Sequence, residues 1–135
     1  MTTRFADSFY YLAMVNPRDQ AHQRVLARAG PLLGPVVTTV WILTEVGDAL
    51  AAPALRPIFL NLMNDLRQDD ETEIVPASDD LFRRGIDLFA GRADKAWSLT
   101  DCISFVVMSE RGLTDALTGD HHFEQAGFHA LLRLG

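Results

Sequence analysis

The stretch DKAWSLTDCISFVVMSERGLTDALTGDHHFEQAGF, residues 94–128, decides how the rest of the chain is read. Ser98 stands three residues before Asp101, a pattern close to a capping box, and an apolar run follows from Leu99 to Arg111. That run reads as a helix stopped by Gly112. Leu113 to Thr118 is then a strand, His121 to Gln125 a short helix ended by Gly127, and Phe128 to Leu132 a last strand. Asp120 falls just beyond the Leu113–Thr118 strand, across Gly119, so an acidic residue marks a helix start and a second marks a strand end.

The same alternation continues toward the N-terminus. Arg4 to Ala6 closes a first strand, and Ser8 to Met14 carries Phe9, Leu12 and Ala13 at helical spacing. Asn16-Pro17 suits the start of a second helix and Gly30 its end. Val36 to Thr39 is a β-branched strand, and a helix from about Trp41 to Leu50 holds Glu45 among apolar residues. Pro53 and Pro57 bracket a break before the amphipathic pattern of Ile58, Leu62 and Leu66. Thr72 to Val75 is a strand candidate, and Ser78 caps a helix carrying Leu81, Phe82, Ile86 and Phe89, closed by Gly91. This order predicts an α/β fold with a mainly parallel sheet flanked by helices on both faces. At 135 residues one domain, 1–135, is expected.

Composition narrows the class. Cys102 is the single cysteine, which excludes internal disulfides and multi-cysteine zinc sites. No apolar run approaches the roughly 20 residues that cross a bilayer, and no secretory signal is visible, so a cytoplasmic protein without a membrane role is expected. The formal net charge of −6 runs against a nucleic-acid partner. Two divalent ions, at +2 each, would bring the balance to about −2.

In a doubly wound sheet, ligands bind beyond the carboxyl ends of the strands, where strand order reverses. Asp7 follows the first strand and Asp120 a later one; Asp101 and Glu45 sit on helices that begin near that edge. Carboxylates gathered there raise one another's pKa values, and a hard cation such as Mg²⁺ or Mn²⁺ relieves the conflict. Each acid also has a structural role open to it: Asp7 and Asp120 as N-caps, Asp101 in its capping box, Glu45 as a solvated helical residue.

With those residues placed, the chain resembles the PIN-domain family, and within it the VapC-type ribonuclease toxins. The resemblance rests on Ser98-Leu99-Thr100-Asp101, Gly112, Ala116-Leu117-Thr118 and Asp120-His121-His122-Phe123, on Phe5-Ala6-Asp7-Ser8, and on Thr38-Thr39 followed by Thr44-Glu45. It implies a five-stranded parallel sheet and an Mg²⁺- or Mn²⁺-dependent endoribonuclease. Asp7, Glu45, Asp101 and Asp120 would be catalytic metal ligands, and Ser8, Thr100 and Thr118 secondary contacts. It also implies an RNA substrate such as tRNA or rRNA, a cognate antitoxin and a homodimer. One departure stands out: Phe9-Tyr10-Tyr11 follow Ser8 where many members carry small or hydroxyl residues.

Arg83, Arg84, Arg92 and Lys95 are candidate RNA contacts on the way to Asp101. His121 and His122, being adjacent, are expected to point to different faces, and Cys102 to be a small buried hydrophobe. Asp69-Asp70-Glu71 reads as a solvated turn. Phe9 to Leu12 are expected to divide between the core and an oligomer surface. A receiver domain would need a second acid beside Asp7 and a late lysine, and a haloacid-type phosphatase an Asp at position 9; both are missing. The non-enzyme alternative is a binding module whose acidic pocket accepts a basic partner segment.

Overall fold

The computed structural model describes residues 2–29 and 34–133. Five parallel strands, β1 (Arg4–Ala6), β2 (Val36–Thr39), β3 (Thr72–Val75), β4 (Asp115–Leu117) and β5 (His129–Ala130), lie in the order β3-β2-β1-β4-β5. Between them run α1 (Ser8–Val15), α2 (His22–Ala29), α3 (Val40–Ala49), α4 (Arg56–Gln68), α5 (Asp79–Gly91), α6 (Leu99–Glu110) and α7 (His121–Gln125). Strands β1 to β3 progress one way across the sheet, and β4 and β5 the other. With right-handed crossovers, that reversal puts α1–α4 on one face and α5–α7 on the opposite one. It also makes the carboxyl ends of β1 and β4 the switch point.

Burial explains the short strands. β2 is buried at all four positions, as a β-branched central strand should be. Phe5 in β1 stacks toward Phe123 of α7 at 6.3 Å, and Phe123 meets Phe105 of α6 edge-on at 4.9 Å. Trp97 packs edge-on to Phe105 at 5.0 Å and donates its indole N–H to Gln125 Oε1 at 3.0 Å. Each such aromatic pair adds about 0.5–1.5 kcal/mol beyond its area burial. Trp97 immediately precedes Ser98 and Phe123 immediately follows His122, so this cluster fixes the two acidic motifs against one another. Cys102 is fully buried beside it.

Several expectations need correction. The second helix begins at His22, not at Pro17, because side chains capture the intervening backbone. Asn16 Oδ1 accepts from Arg18 N at 3.0 Å, and Asp19 Oδ1 from Ala21 N at 2.8 Å. Such turns compete with helix. The proposed stop at Gly30 lies outside the described residues. The last two strands are shorter than read, since only Asp115–Leu117 and His129–Ala130 pair. Gly91 belongs to α5, whose cap is Arg92. Gly112 (φ 65°) and Gly127 (φ 95°) do take the left-handed conformation that ends their helices. None of Phe9, Tyr10, Tyr11 and Leu12 is exposed, because α1 packs against both α2 and α3. Asp69 forms the expected exposed turn, accepting from Glu71 N and the Thr72 hydroxyl.

Candidate active site

Asp7 leaves β1 at the switch point and is buried. It occupies the N-cap position of α1, yet its side chain caps nothing. Instead the Thr118 hydroxyl donates to Asp7 Oδ2 at 2.7 Å. The same Thr118 oxygen accepts from Asp120 N at 3.1 Å, so one fully buried hydroxyl ties the ends of β1 and β4 together. Burial pushes the Asp7 carboxyl up to about 7; Asp101 and Glu45 push in the same direction, while the Thr118 hydroxyl and the Ser8 backbone oppose it.

The remaining acids come from three helices, Asp101 and Asp120 at the starts of α6 and α7 and Glu45 from the middle of α3. Thr38 donates to Ala6 O at 2.9 Å, and Thr39 Oγ1 accepts from Ile42 N at 3.1 Å, so α3 begins where β2 ends. This brings half-buried Glu45 toward the end of β1. Desolvation raises the Glu45 pKa, with Asp101, Asp48 and Asp120 adding to it and the Ser8 hydroxyl countering. Asp101 closes a full capping box: its N–H reaches Ser98 Oγ at 3.0 Å, and its Oδ2 accepts from Ser98 N at 3.1 Å. Asp120 caps α7 by accepting from His122 N at 2.9 Å. Capping therefore coexists with membership of the cluster, since each carboxylate keeps an oxygen free for a second partner.

Asp7 thus lies within electrostatic reach of Asp101 and Glu45, and Glu45 within reach of Asp101 and Asp120, with Thr118 bonded to Asp7 and Ser8 to Glu45. Thr100 is half-buried beside Asp101.

His122, which the sequence reading left as a surface or loop-packing group, lies among the candidate acids. Its Nδ1 lies 3.0 Å from Asp101 Oδ2 and 3.5 Å from Asp120 Oδ1. With the proton on Nδ1 the ring donates to Asp101 and stands beside Asp120. The expectation that His121 and His122 point apart also fails: their rings are 4.5 Å apart, because both belong to the first turn of α7 beside Asp120. Asp120, His121 and His122 each offer a ligand atom within 4.8 Å of the others. The signal available in the sequence was the position of His122 two residues after an N-cap aspartate.

The basic candidates are tied to carboxylates. Arg83 pairs with Asp79 at 2.7 Å, and Arg84 with Asp80 at 2.8 Å and with Glu110. Arg92 pairs with Asp94 at 3.0 Å and stacks over Trp97 at 5.0 Å; Lys95 lies 3.8 Å from Asp94. Exposed pairs of this kind contribute little and exchange readily. A groove of about 480 Å³ between α3 and α4, lined by Thr44, Gly47, Asp48, Arg56, Phe59 and Leu60 among others, holds none of the acidic quartet. No described helix is long and apolar enough to cross a membrane.

No family model matches the chain, and no curated protein matches it in sequence. Solved structures do. VapC20 of Mycobacterium tuberculosis, described as a sarcin–ricin loop cleaving toxin, superposes with a TM-score of 0.84 at 20% identity, over 94% of this chain and 96% of that one. FitAcB from Neisseria gonorrhoeae superposes with a TM-score of 0.64 at 17% identity, over 94% and 95% of the two chains. At these identities the likeness establishes the fold: the five-stranded parallel α/β fold expected of a PIN domain.

Proposed function

We propose that this chain is a metal-dependent endoribonuclease of the VapC type, the toxin half of a toxin–antitoxin pair. The observation that carries the reading is Asp7: a buried carboxylate at the switch point, held by Thr118, with the Asp101 and Glu45 carboxylates close enough to oppose its ionisation. A fold that only needed a cap at position 7 would not bury an acid whose ionisation is opposed by its surroundings. The overall likeness to a toxin that cleaves the sarcin–ricin loop supports RNA as the substrate class, with rRNA or tRNA as the target.

The donor set fits a hard divalent ion. Asp7, Glu45, Asp101 and Asp120 would hold Mg²⁺ or Mn²⁺ through carboxylate oxygens, the ligands these ions prefer. Bound there, the ion supplies a Lewis acid for the phosphodiester and a water of lowered pKa. The protein's own part is to fix the ligands. Thr118 orients Asp7 and the turn at Asp120; the Ser98 backbone and His122 orient Asp101; the Ser8 hydroxyl faces Glu45. Such supporting contacts set both geometry and basicity of metal ligands.

An antitoxin is the expected protein partner, with a basic segment suited to the acidic pocket. The proposal includes a homodimer, for which the exposed stripe of Phe82, Ile86 and Phe89 on α5 offers an apolar contact face. Sedimentation of the Ile86→Glu variant tests that face: a shift from dimer to monomer is expected. The catalytic reading is tested by RNA cleavage in Mn²⁺ and in EDTA, with Asp7→Asn as the control.

A further inference from the structure

We infer that Arg24 is a substrate-phosphate contact of this site, an inference that rests on the ribonuclease reading. The Arg24 guanidinium lies over the Phe9 ring, 5.9 Å from its centroid. Phe9 in turn abuts Gly119: a Cβ there would stand 2.5 Å from Phe9 Cζ and 2.8 Å from Cε2. Gly119 lies between Thr118, which holds Asp7, and Asp120. A run of contacts therefore leads from Arg24 through an aromatic ring to the strand end where the acids converge. The missing side chain at Gly119 is what makes room for the Phe9 ring.

Arg24 is held from both ends of its helix. His22 Nδ1 meets Ala13 O at 2.7 Å at the start of α2, and Arg28 Nη1 donates to Arg133 O at 2.8 Å near its end. Val25 is buried beside it. Among the described residues no carboxylate pairs with Arg24, and its Nε is shielded from solvent without an acceptor. Arg83, Arg84, Arg92, Arg111 and Arg133, by contrast, are all in ion pairs. Other unpaired arginines exist, but Arg24 is the one that ring contacts join to the site.

An acid-lined site repels RNA, so affinity must come from cations on its rim. A planar guanidinium stacked on an aromatic face, with donors unspent, matches the oxygens of a phosphate. Arg24 acts on binding, not on the reacting atoms, so its removal is expected in KM.

The test is steady-state cleavage of RNA in Mn²⁺ across a KCl series, with Arg24→Met, which keeps the apolar stem over Phe9, and Arg24→Lys, which keeps the charge. Arg24→Met is expected to raise KM about tenfold with kcat within twofold, and to lower the slope of log(kcat/KM) on log[KCl] by about 0.7, one single-strand phosphate contact. Arg24→Lys is expected to raise KM only two- to fivefold. Should Arg24→Met fail to fold, Arg24→Lys decides alone, and an unchanged KM overturns the inference. RNA cleavage with KM and salt slope unaltered in both variants overturns it while leaving the ribonuclease reading intact. No cleavage of any RNA by the unsubstituted protein overturns both.

Discussion

Replacing Asp7 by Asn should stabilise the metal-free protein while destroying its activity. Burial holds the folded-state pKa of Asp7 at about 7, against an ordinary value of 3.8. Between those values the folded chain binds one proton more than the unfolded chain, so stability falls by about 1.4 kcal/mol for each pH unit. The stabilisation from the protonated acid is complete below pH ~4 and lost as pH rises through 7, a total of about 4 kcal/mol. Glu45, also raised, acts in the same direction. Asn is isosteric, still accepts from Thr118 and never ionises. In EDTA at pH 8, Asp7→Asn should therefore exceed the unsubstituted chain by about 3–4 kcal/mol, or roughly 10 °C in Tm for a chain this size. Urea unfolding followed by circular dichroism at pH 5, 6.5 and 8 measures this. Saturating Mn²⁺ should reverse the order, because only the intact site gains from binding. An Asn variant no more stable than the parent at pH 8 in EDTA, with the same slope on pH, would refute the reasoning.

Thr118→Val removes a buried charge-assisted hydrogen bond worth about 1.5–3 kcal/mol, and with it the force that lowers the Asp7 pKa. Its Mn²⁺ affinity at pH 7, measured by calorimetry, should fall about tenfold and recover toward pH 8.5. Gly119→Ala must displace the Phe9 ring, which should cost about 1–3 kcal/mol in urea unfolding and raise KM for RNA. His122→Phe removes the ring nitrogen that meets Asp101 and lies beside Asp120, and losing such a support of a metal ligand should cut activity 10- to 100-fold with little change in Tm. Because a divalent ion must displace the proton on Asp7, activity at low Mn²⁺ should rise through pH 6–8, and its midpoint should move to lower pH as Mn²⁺ increases.

Much of this site was legible because its parts are local. Asp7 and Asp120 sit at N-cap positions and Asp101 in the first turn of its helix, where hydrophobic periodicity and capping signals are strongest. The parallel sheet then followed from the alternation of elements, and β1 and β4, the strands that precede Asp7 and Asp120, are adjacent in it. What stayed hidden was side-chain contact across long separations. The resemblance named Thr118 as a secondary contact, but not its bond to Asp7, 111 residues away; His122 lies 21 residues from Asp101, and only packing of α6 against α7 reveals that contact. The Phe9–Gly119 contact is likewise invisible to periodicity, which could say only that the early aromatics were unusual. Misplaced boundaries came from side chains that outcompete helix, as at Asn16 and Asp19. They also came from apolar residues that flank a strand without pairing in it, as at Leu113.

Cleavage of mixed tRNA and rRNA by the purified protein tests the central claim most directly, run in Mn²⁺, in EDTA and with Asp7→Asn. Cutting in Mn²⁺ that EDTA and the substitution both abolish is the expected result. Folded, Mn²⁺-loaded protein that leaves both RNA classes intact, or cutting that survives EDTA, would contradict it.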